Sequence, residues 1–212
     1  MIFGFLVFNG LEELDLIGPW EMITMWGMHA KGPEKCIMIA ENRQSVSCAK
    51  GMSINPHVTF KDCPMLDYLL VPGGQGTRKE VDNPVLIDFV SEQGKKCKAV
   101  LSVCTGAFIL HQAGLLNGHR ATTHWKSLER LRELGDVEVV EERIVHDDNI
   151  WTAAGVSAGI DLSLSFIETM AGSEAAAITQ MATEYFPSGH IYGDVRNNEQ
   201  APRYLKEQIR QG

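Results

Sequence analysis

The chain has 212 residues, of which 44% are hydrophobic and 22% charged, values that fit one globular domain of generous size. Its formal net charge is −8, so nucleic acid is not an expected partner, because phosphate binding needs a basic surface. No apolar run reaches the length of a membrane span, and the start MIFGFLVFNG lacks the basic region and cleavage site of a secretory leader.

Residues 2–8 form an apolar run ended by Asn9-Gly10, which predicts a strand buried on both faces. Residues 11–28 turn helical in their later part, with Pro19 expected in the first turn. A second strand is predicted over 35–41, and residues 46–58, with Gly51 and Pro56, read as a short hairpin and turn. The run 66–71 (LDYLLV) is a third buried strand, ended by Pro72-Gly73-Gly74. A helix over 83–94 follows, with Pro84 in its first turn, then a fourth buried strand over 97–103 and a helix over 105–116. Residues 122–124 read as a short extended piece and 125–134 as a helix stopped by Gly135. Short strands are expected over 137–140, 143–146 and 150–153, the last two joined by a turn at Asp147-Asp148-Asn149. Helices over 157–171 and 173–185 break at Gly172, with Ser173 as N-cap, and a last short helix fits 203–211.

Alternation of doubly apolar strands with helices predicts an α/β fold: a mostly parallel sheet with helices on both faces. Residues 1–187 are expected to form the domain and 188–212 a C-terminal tail that packs on the domain or on a dimer partner. In such sheets ligands sit at the carboxyl ends of the strands.

Five cysteines are present, Cys36, Cys48, Cys63, Cys97 and Cys104. Their odd number, irregular spacing and lack of a CxxC pair argue against a disulfide framework or a zinc site, and a reducing cytoplasm fits them best. Cys104 stands apart, because in LSVCTGAFIL it joins the end of a buried strand to the start of a helix. Backbone N–H groups and the helix dipole there favour a thiolate, the reactive form. The competing reading is a small buried hydrophobe, which most free cysteines are.

Three other features fall at the same edge of the sheet. VPGGQG ends the third buried strand, and its Gly73-Gly74 pair permits close backbone approach. With the amide of Thr105, the amide near Gly74 is a candidate oxyanion hole. Asp15, in LEELDLIGPW, is a carboxylate among apolar residues that either caps the first helix or moves a proton. His124, in RATTHW, reads as a half-buried core residue or as a pocket residue.

Together LDLIGP, VPGGQG, SVCTGAFIL, AGLLNGHRATTHW and TAAGVSAGIDLSL resemble the ThiJ/PfpI superfamily of class I glutamine amidotransferase-like folds. The order of the motifs is similar to that of its isocyanide hydratase branch, and the resemblance runs from about residue 2 to residue 185. It implies a flavodoxin-like sandwich, usually a homodimer, with Cys104 as nucleophile on a strained elbow and Asp15 as the acid beside it. Gly73, Gly74 and Thr105 are the implied backbone site, and no metal or organic cofactor is implied. The implied reaction hydrates a small-molecule electrophile, an isocyanide, to a formamide through a thioimidate. A glyoxalase- or deglycase-like activity, a cysteine redox sensor and a small-ligand-binding module are the alternatives. Ile17 stands where a threonine is common in that branch, which puts the polarity of the pocket in question. Thr105 replaces the histidine that follows the cysteine in the protease branch, which counts against peptidase activity. Regulators that share the pattern carry a helix-turn-helix domain of about a hundred residues after it, for which the chain to Gly212 is expected to lack room.

Overall fold

The computed structural model describes residues 1–189, 192–193 and 198–208. Its strands, in chain order, are β1 (Ile2–Leu6), β2 (Lys35–Ala40), β3 (Val46–Ser47), β4 (Ser53–Ile54), β5 (Val58–Thr59), β6 (Tyr68–Val71), β7 (Ala99–Val103), β8 (Arg120–Ala121), β9 (Glu138–Val139), β10 (Ile144–Asp147) and β11 (Ile150–Ala153). Its helices are α1 (Glu13–His29), α2 (Thr77–Glu80), α3 (Pro84–Gly94), α4 (Gly106–Gln112), α5 (Leu128–Glu133), α6 (Ala158–Ala171), α7 (Ser173–Ala182) and α8 (Arg203–Gln208), with a 3₁₀ turn over Trp125–Ser127.

Seven strands form one sheet in the order β10-β11-β7-β6-β1-β2-β5, parallel throughout except at the β10–β11 hairpin. The register sets Phe3 beside Tyr68, Leu70 beside Leu101, and Ser102 between Val71 and Thr152. Strand order reverses at β1, which has β2 on one side and β6 on the other. Such a reversal opens a crevice at the carboxyl ends of the strands. The loops after β1, β6 and β7 all emerge there; the first leads into α1, which carries Asp15, and the other two carry Gly73 and Cys104.

The helix layer of α1, α6 and α7 is seated by aromatic rings. Phe166 of α6 meets Tyr68 at 5.1 Å, Trp151 at 5.5 Å, Phe3 at 6.1 Å and Trp26 at 6.3 Å, each edge-on. Burial of such a side chain stabilises by about 1.5–3 kcal/mol, and edge-to-face contacts add about 0.5–1.5 kcal/mol. Helices α1 and α6 cross closely because the contact is glycine on both sides. A Cβ on Gly18 would fall 2.9 Å from Ile160 Cγ1, and one on Gly159 would fall 2.9 Å from Pro19 Cγ. Asp15 lies one turn before this crossing and is carried with it to the sheet edge.

Several predicted boundaries shift for identifiable reasons. Helix α1 begins at Glu13, so Pro19 lies in its interior and not in its first turn. Proline supplies no N–H there, so the Asp15 carbonyl lacks its usual donor four residues on. Ser173 is the first helical residue and does not cap; Gly172, at φ 89°, takes the N-cap position. The extended piece predicted over 122–124 is displaced to β8, which pairs with β9. The helix predicted over 105–116 is shorter, Gly106–Gln112. The Cys97-Lys98 end of the fourth predicted strand precedes β7, and α2 was not foreseen. The turn at Asp148 adopts φ 55° as the Asp-Asp-Asn sequence allows. In the tail, Arg203 N–H donates to Glu141 Oε1 at 2.6 Å and Tyr204 packs against the core, while 209–211 of the last predicted helix lie outside the described residues. Among the described residues no helix is long and apolar enough to cross a membrane.

Candidate active site

Cys104 follows β7 directly and takes φ 56°, a conformation that side-chain-bearing residues rarely adopt. The bend is held from three sides. Its N–H is shared between the carbonyls of Ala153 and Ala154 at 3.0 and 2.9 Å, and its carbonyl accepts the Thr123 hydroxyl at 2.7 Å. Gly106, at the start of α4, sits where a Cβ would fall 2.2 Å from the Val71 carbonyl oxygen. The turn thus presents the Cys104 side chain at the floor of the crevice, in the manner of a nucleophile elbow.

Cys104 is 7% exposed. Burial pushes its thiol up to about 12, the nearby Asp15 charge pushes the same way, and the N–H groups of Thr105 and Val156 oppose both. The expectation of a thiol acidified by the helix start is therefore reversed in sign. Helix α4 is seven residues long, and two amide donors do not outweigh the loss of water. Val156 supplies its amide from φ 41°, strained for a β-branched residue.

Asp15 is completely buried. It does not cap α1: Glu12 holds that position, and Asp15 is the third helical residue. Its Oδ2 accepts the Gly73 N–H at 2.9 Å. Among the described residues its buried Oδ1 has no hydrogen-bond partner, and the Cys104 thiol interacts with the carboxyl. Burial raises this carboxyl from 3.8 to about 7, against the lowering effect of the Gly73 N–H and the thiol. Near neutral pH the acid and the thiol together hold at most one negative charge, because desolvation and the first charge both oppose a second.

The glycine pair is required by space. A Cβ on Gly73 would fall 2.5 Å from Thr105 N and 2.8 Å from Asp15 Oδ2. Gly74 takes φ 119°, and a Cβ there would fall 2.3 Å from Glu12 N. The amides are not free donors as expected for an oxyanion hole. Gly73 N–H is bound to Asp15, and Gly74 N–H donates to Thr105 Oγ1 at 2.9 Å, a hydroxyl that also lies 3.1 Å from Thr77 Oγ1. The amides of Thr105 and Val156, both turned toward sulfur, are the donors nearest the reacting centre.

Above Cys104 opens a cleft of about 250 Å³ that includes Gly74, Thr105, His124 and Val156 in its lining. His124 is the pocket residue foreseen. Its Nδ1 accepts the Lys126 N–H at 3.2 Å, which leaves the ring proton on Nε2, and burial then Lys126 lower its basicity, so it is neutral at pH 7. Ile17 is not a pocket residue. It lies two positions after Asp15, about 200° round the helix, and packs on the core instead. Sequence reasoning missed Val156, Thr123 and three cations on the cleft, Arg78, Lys126 and Arg130. Val156 and Thr123 left a trace, inside motifs quoted for resemblance, and nothing local marked the amide of one or the hydroxyl of the other.

The DJ-1/PfpI family matches residues 3–169. The chain belongs to this family. It is 37% identical over 186 residues to an isonitrile hydratase of Pseudomonas putida, covering 87% of this chain and 78% of that protein. It is 26% identical to a glutathione-independent glyoxalase of Caenorhabditis elegans, covering 77% and 84%. A helix-turn-helix transcriptional regulator of Pseudomonas aeruginosa is 29% identical over 94% of this chain, which spans about half (53%) of that regulator. Among solved structures, a ThiJ/PfpI family protein from Pseudomonas syringae superposes with a TM-score of 0.84 at 31% identity, covering 98% of this chain and 84% of that one. The flavodoxin-like α/β fold expected from the sequence is thus the fold of the family.

Proposed function

We propose that this protein is a cysteine-dependent hydratase that converts an isocyanide and water into an N-substituted formamide. The observation that carries the reading is the state of Asp15: fully buried, pinned through one oxygen by Gly73, unpartnered at the other, and raised to about 7 beside the Cys104 thiol. A carboxyl with that affinity for a proton both accepts and returns one near neutral pH. The kinship with the Pseudomonas putida isonitrile hydratase supports the same reading.

In the first half-reaction Asp15 takes the thiol proton while sulfur bonds to the terminal carbon of R–N≡C. The same proton then goes to that carbon, giving the thioimidate R–N=CH–S–Cys104. In the second, water adds to the carbon. Asp15 relays the proton lost by water to nitrogen, and then the hydroxyl proton to the departing sulfur. The products are R–NH–CHO and the free thiol, so atoms balance. The amides of Thr105 and Val156 stabilise sulfur as it gains and sheds charge.

Formation of formamide from an aryl isocyanide, followed spectroscopically, tests the reading. Wild type is expected to turn over, Cys104→Ala to be inactive, and Asp15→Asn to lose roughly 100-fold or more. Full activity in either variant removes that residue's role. A glyoxalase-like reaction is the second reading, favoured by the Caenorhabditis elegans relative. Turnover of methylglyoxal with none of isocyanide would put it first. A redox sensor is disfavoured, because sensors use an accessible, acidified thiol and Cys104 is neither.

A further inference from the structure

We propose that the electrophile bound in this cleft carries a carboxylate, held at the rim by Lys126, Arg130 and Arg78. The inference rests on the reading of the cleft as the place where Cys104 meets its substrate. The chain is strongly acidic, with a formal net charge of −8, yet three cations line this one cleft. They come from separate elements: Arg78 from α2, Lys126 from the 3₁₀ turn and Arg130 from α5.

Among the described residues none of the three pairs with a carboxylate. Glu12, the one acidic residue in the cleft wall, is neutralised by Lys50. Glu129, beside Arg130 in sequence, pairs with Arg132 instead. Asp15 lies below, buried under the cleft floor, where its raised affinity for a proton leaves it only partly charged near neutral pH. His124 is neutral.

Two of the cations are placed as well as unpaired. The Arg130 guanidinium lies 4.3 Å from the Phe108 ring centroid, and the Lys126 ammonium lies 4.9 Å from that of Trp125. Contact with a ring face restrains a long cationic side chain without consuming its charge. An arginine fork suits a planar carboxylate, and the small cleft suits a compact molecule. Unpaired cations at the mouth of a low-dielectric cleft raise the local concentration of an anionic substrate.

Two measurements test this. The first compares kcat/KM for isocyanoacetate and longer straight-chain homologues, each beside its methyl ester, in wild type and in Lys126→Gln/Arg130→Gln. At low ionic strength the carboxylate is expected to be favoured by roughly tenfold, with the ratio falling toward one in the double variant and in high salt. The second compares alkylation of Cys104 by iodoacetate and by iodoacetamide, each rate normalised to a free thiol in solution and read by mass spectrometry, with Cys104→Ala as blank for the other four cysteines. The normalised rate is expected to favour iodoacetate, again in a manner that salt and the double variant suppress. If no isocyanide is turned over but iodoacetate keeps its advantage, the hydratase reading fails and the anion site stands. If acid and ester are turned over alike, or if neither measurement shows an advantage for the anion, the proposal is overturned.

Discussion

Replacement of Asp15 by asparagine isolates the energetic consequence of burying this acid. Asparagine keeps the shape and an oxygen for the Gly73 N–H, and it removes the titration. In the unfolded chain the carboxyl titrates at 3.8; in the folded chain burial raises it to about 7. Between those values the folded state holds a proton that the unfolded state has lost, so stability falls as pH rises. The contribution is fully present below pH 3.8 and is lost as pH passes through about 7. At 1.36 kcal/mol per tenfold change in acidity, the loss is about 4 kcal/mol. The asparagine variant lacks it. Urea unfolding of both proteins at several pH values, read by tryptophan fluorescence, therefore gives a stability difference that shifts toward the variant by about 4 kcal/mol from pH 4 to pH 8. Every other titrating group cancels in that difference. A pH-independent difference, or a shift toward wild type, refutes the assignment of a buried, proton-retaining carboxyl at this position.

Other outcomes follow from the same geometry. Phe166→Ala removes the ring that four aromatic neighbours share and is expected to cost roughly 3–5 kcal/mol in urea unfolding; a loss below about 1 kcal/mol contradicts its place at the centre of the core. Gly73→Ala drives a methyl toward Thr105 N and Asp15 Oδ2, and a loss of roughly 1–3 kcal/mol with a larger loss of turnover is expected. Thr123→Val strips the buried Cys104 carbonyl of its 2.7 Å donor, a cost of about 1–3 kcal/mol, and measured stability equal to wild type would show that the elbow does not depend on it. We propose that the protein is a homodimer, as the sequence resemblance implies, and light scattering after size exclusion tests it; a monomer at micromolar concentration rejects it.

The three central strands were legible because each is an apolar run, two of them ended by Asn9-Gly10 and Pro72-Gly73 and the third by Cys104-Thr105-Gly106, and parallel strands buried on both faces need nothing else. Cys104, Gly73 and Thr105 were legible for the same reason, since a strand end in a doubly wound sheet is where a ligand site opens. Asp15 was not resolved by its own neighbours, because a carboxylate before a helix is more often a cap. Its burial is decided by the crossing of α1 and α6 at Gly18 and Gly159, which no local window contains. The Cys104 acidity was misjudged for a related reason: the helix start is visible in the sequence, while the desolvation that outweighs it arises only in the closed fold. The cations of the cleft are invisible in a chain read as acidic overall, because α2 meets the consecutive 3₁₀ turn and α5 only in three dimensions.

The pairing of a proton-retaining acid with a protonated thiol bears on the choice between the two enzyme readings. A glyoxal carbonyl takes sulfur at carbon and a proton at oxygen, so nucleophile and acid must face different atoms. An isocyanide carbon takes both sulfur and hydrogen, and both bonds form at one atom. A thiol poised beside a carboxyl with a free Oδ1 delivers both from one point of the cleft floor. The carbonyl reaction would also call for donors aimed at an oxyanion, whereas the glycine-pair amides are consumed by Asp15 and Thr105 Oγ1. The two remaining amides, of Thr105 and Val156, serve sulfur. The donor arrangement therefore favours addition of S–H across a single carbon, which is the first step of isocyanide hydration, over capture of an alkoxide.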